Sequence, residues 1–232
     1  VQFALVGHGA EEILRRTALA QDEATARVAS VLGAAWLPRA QGHLRRVHAI
    51  WGLIQLGRVA ELRILLDARD PELRAQAARA FGEANDASQN ARLRALVNDS
   101  DARVRAAAVT SLRKVGEVAA VPQILEMLAA NTDGDPWLRL AGSFALAELL
   151  SAADLAAVAG DASVRLAAVL ALRRQRSPDT RAFLADAAPR VATEAARAIW
   201  DRRIAEAYPA LADCAARAHE LSQPFSRRAL AA

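Results

Sequence analysis

The 232-residue chain is long enough to form a substantial hydrophobic core. A net charge of +4 and a pI near 10.4 point to nucleic acid as a partner, but 26 acidic residues are interspersed with the 30 basic ones, which favours a solvated surface of mixed charge. With one cysteine and apolar runs interrupted by charge, the sequence excludes an internal disulfide, a cysteine-based metal or haem motif, and membrane insertion.

The N-terminal part of the chain has an irregular helical pattern. A helix pair is predicted over 10–21 and 23–36, and a break at 38–42 precedes the next helix, 44–57. We expect residues 1–43 to form a degenerate first repeat. Because the chain lacks an initiating Met and opens inside an apolar run, we also expect it to be a piece of a longer protein.

From residue 59 a short helix, an acidic turn and a second helix recur. The short helices are predicted at 59–66, 91–97, 121–130, 152–159 and 180–184. The turns are predicted at 67–70, 98–101, 131–135, 160–161 and 185–189. Each turn supplies Asp or Asn as a side-chain acceptor for the free N–H groups of the next helix. After a helix at 208–221, residues 223–230 resemble the opening of another second helix, so the last repeat is expected to be truncated.

The second helices share the pattern Asp-x-x-[Val/Leu]-Arg-x-x-[Ala/Gly]. Its arginines lie 26 to 34 residues apart: Arg46, Arg74, Arg105, Arg139 and Arg165. A period near 30 made of two helices indicates an α-solenoid. The pattern resembles HEAT repeats, so we expect an all-α, HEAT-like solenoid of about six to seven antiparallel helix pairs. It would form a single domain over 1–232, with regular repeats over 44–232. At 188–199 the pattern is broken, because Ala192 stands where arginine is expected.

The order of the repeat variants carries a closer resemblance. The segments are 46–53, 73–79, 135–139, 164–174 and 194–199. This succession resembles the HEAT segment of PVC-type haem-binding, membrane-bound-dehydrogenase-like proteins, in which a sugar-dehydrogenase-like propeller comes first and a cytochrome c domain usually follows. The resemblance implies a periplasmic or cell-surface location and a redox role for the full protein. No cofactor is expected in this chain, because it has no Cys-x-x-Cys-His and Leu140 stands where that family often has histidine.

Two sets of repeated residues are candidate functional positions. The first is a ladder of Asp/Arg pairs expected to align the repeats, with an anion-binding track as the alternative: Asp70, Arg74, Asp101, Arg105, Asp135, Arg139, Asp161 and Arg165. The second lies opposite the core stripe of the second helices, where polar residues would be expected. It is a candidate concave interaction surface: Val47, Trp51, Arg79, Leu140, Phe144, Leu166, Leu170 and Arg197. The alternative for this second set is burial against adjacent repeats.

The remaining reactive residue types give no catalytic or metal site. His43 and His48 are five residues apart, which is poor spacing for two ligands on one helix, and His48 is expected to hydrogen-bond within a packed seam. His8 and His219 belong to no recognisable motif. Cys214 is expected to be a small core residue.

We therefore predict a non-catalytic scaffold that contacts other domains of the same polypeptide or a partner protein. It is interpreted as the HEAT segment of an exported multidomain dehydrogenase or cytochrome-type protein. One alternative is a nucleic-acid-binding module like the HEAT-fold DNA glycosylases, which the scarcity of arginine on the predicted inner surface disfavours. Another is a small HEAT-like cofactor enzyme resembling the bilin lyases, for which Glu194 is the only obvious carboxylate.

Overall fold

The computed structural model describes residues 10–19 and 42–216. Within these ranges all regular secondary structure is helical, in α-helices and short 3₁₀ helices joined by turns. The prediction of an all-α solenoid is confirmed. The chain divides into two compact units, Val1–Val115 and Gly116–Ala232.

The first unit is an array of packed helices whose core is rich in leucine and alanine. Its helices are α1 (Ala10–Leu19), α2 (Gly42–Gln55), α3 (Pro71–Glu83), α4 (Asn90–Leu96) and α5 (Ala102–Lys114), with 3₁₀ helices at Val59–Asp67 and Ala87–Gln89. Helix α1 packs on α2, the longer 3₁₀ helix packs on α3, and α3 and α4 both pack on α5. The predicted helix at 59–66 is therefore present but is 3₁₀ rather than α, because a short element between two turns closes with i→i+3 hydrogen bonds.

The second unit repeats this arrangement. Its helices are α6 (Val121–Asn131), α7 (Pro136–Leu149), α8 (Ala152–Ala156), α9 (Ala162–Gln175), α10 (Pro189–Asp201) and α11 (Tyr208–Ala216), with 3₁₀ helices at Val118–Ala120, Pro178–Phe183 and Ala205–Ala207. Helix α9 is central, because it packs against α7 on one side and α10 on the other.

Aspartate starts four of the long helices. In each case the residue before the helix has an extended backbone, and its carboxylate accepts the N–H two residues later, which satisfies one free helix donor. The capping pairs are Asp70 with Glu72, Asp101 with Arg103, Asp135 with Trp137, and Asp161 with Ser163. Helix α10 differs, because Ala188 precedes it and provides no side-chain cap.

Small residues set the distance between α3 and α5. A Cβ atom at Gly82 would lie 2.7 Å from the Cα atom of Ser111, which is closer than real atoms approach. The Ser111 hydroxyl, buried at this contact, donates to the Ala78 carbonyl at 2.8 Å. The glycine therefore permits a backbone approach that no other residue would allow.

Several predicted features lie outside the described residues. These are the helix at 23–36, most of the first repeat at 1–43, and the last repeat beyond residue 216. The single domain over 1–232 stays a prediction.

Candidate interaction surface

The motif arginine Arg74 joins its own turn to the turn of the following repeat. Its guanidinium donates to the carbonyls of Ala68 and Arg69 at 2.7 and 3.0 Å. It also makes two bonds of 2.8 Å to the two carboxylate oxygens of Asp99. Both side chains are largely buried, with 14% and 8% of their surfaces exposed. A bidentate pair of this kind fixes both separation and orientation, so it holds the two turns in register.

Arg165 makes the same arrangement in the second unit. It donates to the Gly160 carbonyl in its own turn and to both oxygens of Asp186 in the next turn, at 2.7 and 2.9 Å. The hydrogen bonds from Arg165 outweigh burial and hold the pKa of Asp186 below its ordinary value. At these two places an arginine of the predicted ladder is therefore a clamp between two successive turns.

The remaining ladder residues have different roles. Arg105 bonds the carbonyls of Asp99 and Ser100 in its own turn, and Arg139 pairs with Asp133, also in its own turn. The four ladder aspartates are the helix caps described above. The arginines instead use a second set of aspartates, which sequence reasoning missed: Asp99, Asp133 and Asp186. The signal for two of them was the Asp-x-Asp spacing at 99–101 and 133–135.

In the first unit the candidate surface residues are partly covered. Val47 and Trp51 on α2 are half-buried, whereas Arg79 on α3 is exposed. The Trp51 indole N–H donates to Gln76 Oε1 at 3.1 Å, and the Gln76 amide in turn donates to Glu72 at 2.7 Å. The Trp51 indole therefore takes part in a hydrogen-bond network within its own unit.

In the second unit the candidate residues divide between core and surface. Leu166 is only 5% exposed and belongs to the core, whereas Leu140 is 42% exposed. Phe144 and Leu170 are half-buried, and the Arg174 guanidinium lies 4.1 Å from the centre of the Phe144 ring. Arg197 is exposed and ion-paired with Asp201 at 3.1 Å and Glu194 at 3.7 Å.

An apolar cleft of about 350 Å³ lies between the start of α7 and the middle of α9. Its lining residues are Pro136, Trp137, Arg139, Leu140 and Leu170. The Trp137 indole is 73% exposed, an unusual position for the largest apolar side chain. It stands there because its backbone N–H is held by the capping Asp135, which fixes its place in the first turn of α7. Sequence reasoning missed Trp137, because only the neighbouring repeat decides whether that turn is covered.

A charged cleft of about 320 Å³ adjoins the apolar one along α9. Leu166, one helical turn before Leu170, is one of its lining residues, and Asp133, Asp161 and Arg190 supply its charged groups. The Asp133 carboxylate is shared between Arg139 and Arg190, and with Asp161 included the two arginines and the two aspartates balance in charge. The Arg190 side chain is 66% exposed, so its guanidinium is accessible to solvent although it pairs with Asp133.

The turn that carries Asp133 is strained and locally reinforced. Thr132 and Asp133 have φ angles of 44° and 62°, in the left-handed region that disfavours residues with a Cβ atom. The Asn131 side chain bonds both the N–H and the carbonyl of Asp135 at 3.0 Å, which closes the turn. Strain retained in this way is common at sites that contact other molecules.

Asp161 at the rim of the charged cleft is held as a carboxylate. The Ser163 hydroxyl and the Val164 N–H donate to it, and these bonds outweigh burial and hold its pKa below the ordinary value. Asp161 therefore presents a negative charge to the cleft at neutral pH.

The histidines, the cysteine and Glu194 form no reactive cluster in the part of the chain described. His48 is exposed rather than packed in a seam, because its position on α2 faces away from the adjoining helices. Cys214 is buried, and Glu194 is ion-paired with Arg173 at 2.7 Å. Within 10–19 and 42–216, no group of three His, Cys, Asp or Glu side chains could hold a metal ion. His8 and His219 lie outside the described residues.

The fold and this surface define an all-α solenoid with exposed apolar and charged side chains in its second unit. Residues 59–147 match the family model of HEAT repeats. HEAT arrays are typically non-catalytic scaffolds that mediate protein interactions.

Two solved structures of engineered proteins from the Northeast Structural Genomics Consortium are similar to the chain. The first has 19% sequence identity and a TM-score of 0.50, over 99% of this chain and 68% of that one. The second has 22% identity and a TM-score of 0.42, over 97% of this chain and 94% of that one. The first likeness supports the fold. A comparison with curated proteins gives no match.

None of the helices in the described ranges has the length and apolar character needed to cross a membrane.

Proposed function

We propose that this chain is an interaction scaffold whose second unit binds a protein partner in the apolar cleft. The observation that carries the proposal is the 73% exposed indole of Trp137 beside the exposed Leu140. Exposed apolar patches with a central tryptophan are typical of protein interfaces, where that residue supplies much of the binding energy.

The adjoining charges favour a protein partner with an acidic rim. Arg190 is 66% exposed although it pairs with Asp133, and Arg174 is 46% exposed above Phe144 although it pairs with Glu148. A partner that places an apolar side chain in the cleft would bring its neighbouring carboxylates close to these guanidinium groups. Such complementarity raises the rate of association and excludes partners of the wrong charge.

The more specific form of the proposal concerns the parent protein. The succession of repeat variants resembles the HEAT segment of exported dehydrogenase-like and cytochrome-containing polypeptides, so the partner would be another domain of the same polypeptide. In that setting the scaffold would lie in the periplasm or at the cell surface. It would bind no cofactor itself, and redox chemistry would belong to the flanking domains.

The test measures association between this chain and the domains encoded beside it in its reading frame. Trp137→Ala should weaken association by about 30-fold or more, because a hot-spot tryptophan contributes at least about 2 kcal/mol. Trp200→Ala is the matched control, since Trp200 is 43% exposed but does not line the cleft. Equal affinities for the two variants would refute the docking site. A reading frame without redox domains would refute only the more specific form.

A further inference from the structure

A left-handed residue follows five of the long helices in the described ranges at a recurrent position, whereas α7 ends at Leu150 with an extended backbone. It is glycine or asparagine after α2, α3 and α5, with φ of 70° at Gly57, 51° at Asn85 and 71° at Gly116. After α9 and α10 the same position is arginine, with φ of 54° at Arg176 and 53° at Arg203. Two successive repeats of the second unit therefore place a long cationic side chain where the backbone favours glycine.

The backbone of these two turns does not require arginine. The N–H after Arg176 bonds the Leu172 carbonyl at 3.1 Å, and the N–H after Arg203 bonds the Ile199 carbonyl at 3.0 Å. The equivalent bond after Gly57 runs to the Leu53 carbonyl at 2.9 Å, so glycine closes the same turn. The arginines thus add backbone strain without improving the turn.

The arginine side chains at these turns are also free of ion pairs with other described residues. Arg176, Arg202 and Arg203 are exposed, and none of them forms an ion pair with another described residue. The nearby arginines differ: Arg173 pairs with Glu194 and Asp201, and Arg174 pairs with Glu148. Asp179 and Glu206 lie in the same two turns, but neither forms an ion pair with these three arginines, and Asp179 bonds Ser177 instead.

The two turns lie at the same end of the unit. Near the starts of the helices, Arg165 on α9 bonds Asp186, which precedes α10. Near their ends, Arg173 on α9 bonds Asp201 on α10 at 3.3 Å. Helices α9 and α10 are therefore parallel neighbours, and packed helices lie about 8–10 Å apart.

We propose that Arg176, Arg202 and Arg203 form a binding site for an acidic segment of a partner protein. A segment with carboxylates about 10 Å apart would match the two turns, which corresponds to about three residues of extended chain. Three cations at one end of the unit suit a short acidic motif better than nucleic acid, whose binding depends on neutralising many phosphates along a track. This site is separate from the apolar cleft and does not depend on the function proposed for it.

The test uses the whole chain and a fluorescein-labelled peptide of repeated Asp-Ser-Gly, with repeated Asn-Ser-Gly as the neutral control. Fluorescence anisotropy at low salt should show binding of the acidic peptide only. The double variant Arg176→Gly with Arg203→Gly should bind the acidic peptide at least about tenfold more weakly than the wild type. It should also unfold at a higher temperature than the wild type, because glycine relieves the backbone strain. The control variant Arg63→Ser with Arg69→Ser makes the same charge change in the first unit and should bind like the wild type.

Three results would overturn the proposal. The first is no binding of the acidic peptide by the wild type. The second is an equal loss of binding in the glycine and control variants, which would indicate a nonspecific effect of net charge. The third is tighter binding of an oligothymidylate than of the peptide, which would assign the site to nucleic acid. A lower unfolding temperature for the glycine variant would separately overturn the strain argument.

Discussion

The bidentate pair between Arg74 and Asp99 gives the sharpest test of how the repeats are held together. Replacing Asp99 with alanine removes two bonds of 2.8 Å from Arg74 and one of 2.9 Å from the Asp101 N–H. Removing one partner of a buried ion pair costs about 3–5 kcal/mol, because the other charge stays desolvated. Arg74 keeps its two carbonyl acceptors in the turn, so we expect a loss of about 2–3 kcal/mol.

Urea unfolding of the wild type and of Asp99→Ala would measure this loss, with the free energy extrapolated to zero denaturant. Asp67→Ala is the matched control. Its carboxylate pairs with Arg92 across the same interval of 25 residues, but it is 63% exposed. An exposed pair is worth about 0–1 kcal/mol, so the control should lose little stability. Similar losses in the two variants, or a loss below about 0.5 kcal/mol for Asp99→Ala, would refute the clamp.

The pH dependence provides a second measure of the same pair. Burial alone would raise the pKa of Asp99, but the hydrogen bonds from Arg74 and the Asp101 N–H outweigh it and hold that pKa below its ordinary value. Because this pKa is lower in the folded chain, the ionised Asp99 stabilises the fold fully at pH values above its unfolded-state pKa of about 4. That stabilisation is lost as the pH falls through the folded-state pKa. The difference in stability between wild type and Asp99→Ala should therefore shrink below about pH 4. A constant difference down to about pH 2 would contradict this account.

Substitutions at three further positions test other parts of the structure. Gly82→Ala should cost about 1–3 kcal/mol in urea unfolding, because its Cβ would meet the Ser111 backbone; an unchanged free energy would show that α3 and α5 separate freely. Asp135→Ala should cost about 1 kcal/mol by removing the cap of α7, and Asp135→Ser should recover most of it. Trp137→Ala should change the unfolding free energy by less than about 0.5 kcal/mol, since its side chain is 73% exposed; a larger loss would assign it to the core.

Most of the architecture could be predicted from the sequence because helix caps and helical periodicity depend on residues close together in the chain. A helix cap needs only an Asp and the N–H groups of the next turn, so Asp70, Asp101 and Asp135 could be recognised from spacing alone. The helical repeat likewise follows from the 3.6-residue period of apolar residues and from the spacing of the motif arginines. The same information could not distinguish α from 3₁₀ geometry at 59–67, since the two differ by one residue in hydrogen-bond register.

The candidate surface was predicted less well, because exposure depends on what the neighbouring repeat places opposite each side chain. Leu140 and Leu166 hold the same position in successive helices, yet one is 42% exposed and the other 5%. Helix α9 lies between α7 and α10, so Leu166 is covered, whereas Leu140 and Trp137 border the open cleft at the start of α7.

The sequence by itself determined the helical repeat, its caps and the arginine that recurs at four of the turns. Only the tertiary structure decided the partners of that arginine, because Asp99 and Asp186 reach Arg74 and Arg165 from the next repeat, 25 and 21 residues along the chain. It also decided that Asp133 is shared by two arginines beside the cleft. Contacts between repeats join residues distant in sequence, and the distances that select them exist only once the helices have packed.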